Sequence, residues 1–368
     1  MSRVLDTFLD LVRISSPTGR ESAVAGYVAA ALRDAGCSVR FDETQPVTGA
    51  DTGNLICELS GALDGGVLAL SAHMDCVQPC EGVEPVVADG VVRSAGDTIL
   101  GGDDKVGLAA IIEAIRRITE QGMEHRTLKM LLTVSEEEGL LGAKALAPED
   151  AQAALCLVLD ADGPVGGIVV GAPSHHTFAA TFTGRAAHAG VEPEKGVSAI
   201  SMAADAIGRM KLGRLDEHTT ANIGSIKGGS ATNVVAPSCE LTGECRSLDA
   251  TRAEEVREEM DAAMRDAASR AGGSVAVEWD HAYSAFTVPV DSPEVRAVAD
   301  ACAAIGVSAH TYTTGGGSDA NVFAAHGIPT LVLGTGMTAV HSTDERLEVA
   351  QLERLADLLV AVATAPES

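Results

Sequence analysis

Basic side chains are scarce in this 368-residue chain: 26 Lys and Arg stand against 52 Asp and Glu, for a formal charge of −26. Phosphate backbones and anionic membrane surfaces repel such a surface, which argues against nucleic-acid and membrane partners. Long apolar runs are missing too. No stretch approaches the roughly 18 consecutive apolar residues that a membrane span requires. The opening Met1 Ser2 Arg3 Val4 Leu5 Asp6 lacks the basic-then-apolar order of a secretory signal, so a cytoplasmic location is expected. The eight cysteines are scattered without the paired short spacings of a disulfide framework, as suits reduced, buried thiols. Cys76 and Cys80 lie close to His73 and are soft donors, but no second Cys or His pair completes a structural zinc site.

What is present is enough apolar material, 46% of residues, to fill about two domains of roughly 100–200 residues each. Residues 4–13 have helical spacing, and a Ser-Ser-Pro-Thr-Gly break leads to a second helix over 21–35 that Gly36 ends. Short apolar runs near 54–59, 67–72, 128–134 and 155–159 read as strands, with a helix over 105–119 between the second and third. That alternation predicts an α/β layer around a largely buried sheet. Over 176–287 the order becomes strand (177–183), helix (198–212), two strands (221–227, 238–246), helix (251–271) and strand (274–279), the order of a split βαβ sandwich. Past Pro289 and Pro293 the α/β pattern resumes with a helix (292–305), a Gly-rich turn, a short helix (319–326), a strand (329–333) and a last helix (346–362). The expected organisation is a discontinuous domain, 1–175 and 288–368, into which 176–287 is inserted.

In a sheet buried on both faces, working side chains are expected at the carboxyl ends of the strands. His73 and Asp75 follow the second strand, Glu136 and Glu137 the third, Asp160 ends the fourth, and His341 lies beyond the last. Asp103 and Asp104 precede the helix that begins near Lys105. Taken alone, Asp103 reads as an ordinary helix cap. A cap does not explain the others: several carboxylates converging on one place raise each other's pKa and cost stability unless a cation neutralises them. Two imidazoles with three or more acids and no thiolate pair suit zinc, cobalt or manganese, and so few imidazoles suggest two ions sharing a carboxylate. Such a pair acidifies a bridging water while a nearby carboxylate takes its proton, which is chemistry for amide and ester hydrolysis.

The runs "SAHMDCV", "GGDDKVG", "TVSEEEGLLGAK", "LVLDADG", "GRAAHAGVEPEKGVSAI", "GGSATNVVAP" and "GMTAVHSTDE", in this order, resemble the di-zinc exopeptidase superfamily that includes peptidase T, carboxypeptidase G and the aminoacylases. The resemblance covers nearly the whole chain, and "EEEGLLGAK" and "HAGVEPEKG" lean toward the peptidase T-like branch. It implies a catalytic domain with a central mixed sheet and an inserted ferredoxin-like lid, through which two copies pair as a homodimer. By the same resemblance His73 and Asp160 ligate one metal, Glu137 and His341 the other, and Asp103 bridges both. Asp75 then orients His73, the usual means of fixing an imidazole's tautomer, and Glu136 is the general base. The triple Glu136 Glu137 Glu138 leaves a second register open, with 137 and 138 as base and ligand. His188 matches a histidine that reaches the partner's site and steadies an oxyanion. Asn233 and Arg246 match substrate-holding positions, Arg246 suited by its fork to a carboxylate. Without the resemblance these three read as surface, loop and strand-end polar residues. Residues 315–321, a Gly-rich turn before a helix, also belong to the pattern and are expected to shape the cleft through backbone N–H groups.

The function expected is removal of an N-terminal residue from short peptides by a two-metal aminopeptidase with Glu136 as base. A carboxypeptidase, an N-acyl-amino-acid deacylase or a desuccinylase would use the same machinery and differ only in pocket shape. A non-catalytic binder of the same fold should have lost a ligand or the base, and here none is missing.

Overall fold

The computed structural model describes residues 2–365. The chain forms two compact units: one runs up to Val170 and includes Val288–Thr313 and the chain from Ser318 onward, and the other comprises Gly171–Thr287 with Thr314–Gly317.

The first unit is built on a mixed eight-stranded sheet. Its order is Ser38–Phe41, Leu55–Leu59, Arg126–Thr133, Leu63–His73, Leu155–Ala161, Thr330–Gly334, Gly167–Val169 and His310–Tyr312. The four strands Arg126–Thr133, Leu63–His73, Leu155–Ala161 and Thr330–Gly334 run parallel, so their carboxyl ends share one edge. His73 and Thr133 are register partners at that edge. These strands are apolar on both faces because both are covered: Leu68, Leu70, Met130, Leu157 and Leu331 are at most 1% exposed, each worth about 1.5–3 kcal/mol of transfer free energy. Helix Gly102–Gln121 is buried along most of its length, and helix Arg3–Arg13 packs on it with the stripe Val4, Leu5, Phe8, Leu11 and Val12.

The periodicity located the central strands but not three short strands toward the sheet's two sides, Ser38–Phe41, Gly167–Val169 and His310–Tyr312. Three or four residues carry too little pattern to be told from loop. The last helix spans Val349–Thr364, and Arg346–Glu348, expected as its first turn, is instead a strand paired with Val91–Ser94.

The second unit is an antiparallel sheet in the order Gly213–Arg214, Thr219–Gly228, Ser238–Ser247, Ser174–Thr183 and Ser274–Tyr283. Helices Ala199–Arg209 and Ala250–Ala271 pack against it. Its core is Phe178, Phe182, Met202, Leu241, Met260 and Met264, among others. Phe178, Ala180 and Phe182 alternate with exposed Ala179, Thr181 and Thr183, the period of a sheet wetted on one face. Apart from the added two-residue strand 213–214, this is the split βαβ order that the sequence indicates.

Candidate metal centre

The edge where the four parallel strands end collects the acids and imidazoles. His73 is the last residue of its strand and 2% exposed. Its Nε2 lies 3.0 Å from Asp103 Oδ1 and 3.6 Å from Asp160 Oδ1. The other Asp103 oxygen, Oδ2, lies 3.2 Å from His341 Nε2, which is also 3.1 Å from Glu137 Oε1. Asp103 thus turns one oxygen toward each imidazole. His73, Asp103 and Asp160 form one group of donor atoms within 4.8 Å of one another, and Asp103, Glu137 and His341 form a second. Glu136 joins His73 and Glu137 in a third such group.

Local backbone chemistry explains how the acids come free. The regular part of helix Gly102–Gln121 starts only after Asp104, because Asp103 and Asp104 have non-helical dihedrals. Asp104, not Asp103, is the cap: its Oδ1 accepts the Gly107 N–H at 3.1 Å. Asp103 is left to face the imidazoles. Asp75 is fully buried and holds more than His73. Its backbone carbonyl lies 3.0 Å from His73 Nδ1 and its Oδ1 lies 3.5 Å away, while Oδ1 and Oδ2 accept the Glu136 and Glu137 N–H groups at 3.0 and 3.2 Å. His341 has a φ of 59°, in the left-handed region that few non-glycine residues occupy, a conformation that recurs at functional sites.

The electrostatics show what the arrangement demands. Burial alone would drive protons off His73, but hydrogen bonds to Asp103, Asp160 and Asp75 outweigh it and hold the imidazole's pKa well above the ordinary value. Hydrogen bonds to Asp103 and Glu137 lift His341 to about 10. Burial pushes Asp160 up to about 7, and burial with the charge of Asp160 holds Glu136 well above the usual carboxyl range. Without a cation, the cluster therefore gathers protons onto its two histidines and onto Glu136 and Asp160, while Asp103, despite its burial, is held below the usual carboxyl range by the imidazoles. Imidazole and carboxylate donors so placed, in want of positive charge, fit divalent metal ions.

The exposed Glu138 belongs to none of the three groups. In the second unit, His188 and Asn233 lie on adjoining segments: His188 bridges Val234, and the Ala189 N–H donates to the Asn233 carbonyl at 2.9 Å. Both are exposed. Arg246 makes its contacts elsewhere, at 3.0 Å from Glu244 and, through Nη1, at 3.4 Å from the Tyr283 hydroxyl and 3.2 Å from the Gly315 carbonyl. A cavity of about 900 Å³ opens at the opposite, amino ends of the central strands, beside Gly65, Arg126 and Leu155, and contains none of the expected site residues.

Sequence reading missed several buried supports. Glu345 accepts the Gly101 and Asp103 N–H groups at 2.8 and 3.0 Å, tying the loop of His341 to that of Asp103. Lys105 is 1% exposed and donates to the Ile14 carbonyl at 2.7 Å. Asp319, buried at the first position of helix Asp319–Ala325, accepts from the Thr133 hydroxyl at 2.5 Å. Each contacts a residue far away in the chain, so no local pattern marks it.

Four parallel strands that deliver imidazoles and carboxylates to one edge of a mixed sheet suit a metal-dependent hydrolase. The profile of peptidase family M20/M25/M40 matches residues 69–365, and the chain belongs to that family. It is 43% identical over 360 residues to the uncharacterized protein YqjE of Bacillus subtilis, which covers 98% of this chain and 97% of that one. Among solved structures, the aminopeptidase PepT from Bacillus cereus is 42% identical with a TM-score of 0.93, and a tripeptidase from Staphylococcus aureus is 40% identical with a TM-score of 0.96. Each alignment covers 98% of this chain and 97% of the other.

Proposed function

We propose that this metallopeptidase is an aminopeptidase of the tripeptidase kind, acting on short peptides with two divalent ions, zinc before cobalt or manganese. His73 and Asp160 would hold one ion, Glu137 and His341 the other, and Asp103 would bridge them. The observation that carries this reading is the placement of Asp103, with one oxygen toward His73 and the other toward His341. The preference for zinc follows from mixed nitrogen and oxygen donors without thiolates.

Bound there, the ions supply Lewis acidity, which lowers the pKa of a water and polarises a carbonyl. The chain's own part is proton transfer and positioning. Glu136 accepts the water's proton on its carboxylate and returns it to the leaving amine; its burial raises its proton affinity in the direction this needs. Asp75 keeps His73 in one tautomer by accepting at Nδ1, leaving Nε2 for an ion. The aminopeptidase reading draws on the two solved relatives, one an aminopeptidase and the other a tripeptidase. The substrate roles of Arg246, for a peptide carboxylate, and of His188 and Asn233, together with pairing of two copies through the second unit, follow from the same resemblance.

The test is a substrate panel on protein stripped with chelator and reloaded with zinc. Unblocked tripeptides should release their N-terminal amino acid only after reloading, and faster than N-acylated amino acids are hydrolysed or C-terminally trimmed products appear. Hydrolysis of N-acyl substrates alone would replace this reading with a deacylase or desuccinylase using the same donors, and release from the C-terminus would make it a carboxypeptidase.

A further inference from the structure

Ser135 stands between the strand Arg126–Thr133 and Glu136, and its φ of 53° lies in the left-handed region that serine seldom adopts. It is 1% exposed, and something must hold it there. Its backbone N–H donates to Glu21 Oε1 at 3.0 Å and its hydroxyl donates to the same oxygen at 3.2 Å. That oxygen also accepts the Gly19 N–H at 2.9 Å. The next two amides, of Glu136 and Glu137, go to Asp75. Three consecutive N–H groups are thus held by two fully buried carboxylates. The two acids are themselves joined, because the Thr18 hydroxyl donates to Asp75 Oδ2 at 2.8 Å. The segment Thr18–Glu21, which reads in sequence as the end of a break and the start of the second helix, is a buttress.

Glu21 is an expensive choice for a simple helix boundary. It has no Lys or Arg partner among the described residues, and its second oxygen, Oε2, is buried without a hydrogen-bond partner. A serine or aspartate at that position would cap the helix at lower cost, and Glu21 makes no side-chain cap bond to its own helix. What its length provides is reach to Ser135.

We infer that Glu21 is a positioning residue: by clamping Ser135 in its left-handed conformation it aims the Glu136 carboxylate, an inference that rests on the reading of Glu136 as the base. Small displacements of a reacting group cost about 10²-fold in rate, so the clamp acts on the chemical step and not on substrate binding.

The test compares Glu21→Ala, Glu21→Gln and Glu136→Gln in the metal-loaded protein. Glutamine keeps an amide oxygen where Oε1 accepts. Glu21→Ala should lower kcat about 10²-fold with KM and the number of bound ions at parental values, and Glu21→Gln should restore most of the loss. In the metal-free protein, amide exchange at residues 135–137 should speed up in the alanine variant and not in the glutamine variant. A fall of less than about tenfold for Glu21→Ala, equal falls in both variants, or loss of ions would overturn the inference. If Glu136→Gln still turns over, the base assignment fails. If Glu136→Gln is inactive while Glu21→Ala is not, only the positioning inference fails. Should Glu21→Ala not fold, Glu21→Asp, one methylene too short to reach Ser135, takes its place with the same expected split between kcat and KM.

Discussion

The two units carry their acids in opposite ways. Among the described residues, every Asp or Glu in the buried set, Glu21, Asp75, Asp103, Asp104, Glu113, Glu136, Asp319 and Glu345, belongs to the first unit. The acids of the second unit lie outside the buried set, and many pair with arginines one turn away on helix Ala250–Ala271, as in Arg257–Glu254, Arg265–Asp261 and Arg270–Asp266. In the buried set only Glu113 has an arginine partner, Arg3 and Arg117. A buried ion costs several kcal/mol to desolvate unless it is paired, so buried acids without a Lys or Arg partner are the ones that need a functional explanation. The net charge of −26 says little, because most of it is solvated surface; the few desolvated carboxylates mark the site.

The sharpest way to break this contrast is Glu136→Gln. It removes a proton acceptor without changing shape, and kcat should fall about 10³-fold, within the range for general-base removal, while the ions stay bound. Activity close to the parent's would mean that this buried acid is structural and that the contrast between units has no catalytic content.

A second measurement uses pH. In the metal-free protein, Asp160 (about 7 when folded) prefers to be neutral in the folded state. His341 (about 10 when folded) prefers to be charged there. The acid's raised pKa removes stability as pH climbs from about 4 to 7; the histidine's contribution, complete below about 6.5, is lost as pH climbs toward 10. Both signs agree: melting temperature should decline from pH 5 to pH 9 without metal, and zinc should flatten the decline. A flat metal-free profile would contradict the burial argument.

Phe182 tests the other side of the comparison. It is fully buried in the second unit's core, and Phe182→Ala should cost about 3–5 kcal/mol in urea unfolding without changing how many ions the protein binds. The smallest effect belongs to the surface pairs. Arg265→Ala, which breaks the Arg265–Asp261 contact at a side chain 55% exposed, should shift stability by less than about 1 kcal/mol.

Much of the candidate site was legible because His73, Glu136, Glu137 and Asp160 sit at or just past the end of an apolar run, whereas Asp103 precedes a helix and His341 lies in a loop. The strands ending at His73, at Thr133 before Glu136, and at Asp160 all announce themselves by composition, and parallel strands put their ends on one edge. Glu21, Glu345, Lys105 and Asp319 were not legible. Their partners lie far along the chain, from Ser135 for Glu21 to Gly101 and Asp103 for Glu345. Asp104 shows a subtler limit: from sequence, either of two adjacent aspartates could cap the helix, and only the dihedrals assign the cap to the second.

The sequence by itself determined the layered α/β organisation, the split βαβ order of 176–287, and which acids and imidazoles stand at strand ends, because periodicity and strand termini are local properties. Only the tertiary structure decided which oxygen faces which nitrogen, which aspartate caps and which faces both imidazoles, and that Ser135 is held by Glu21. Those outcomes depend on distances between residues that only folding brings together, and on burial, which sets how strongly each charge is felt.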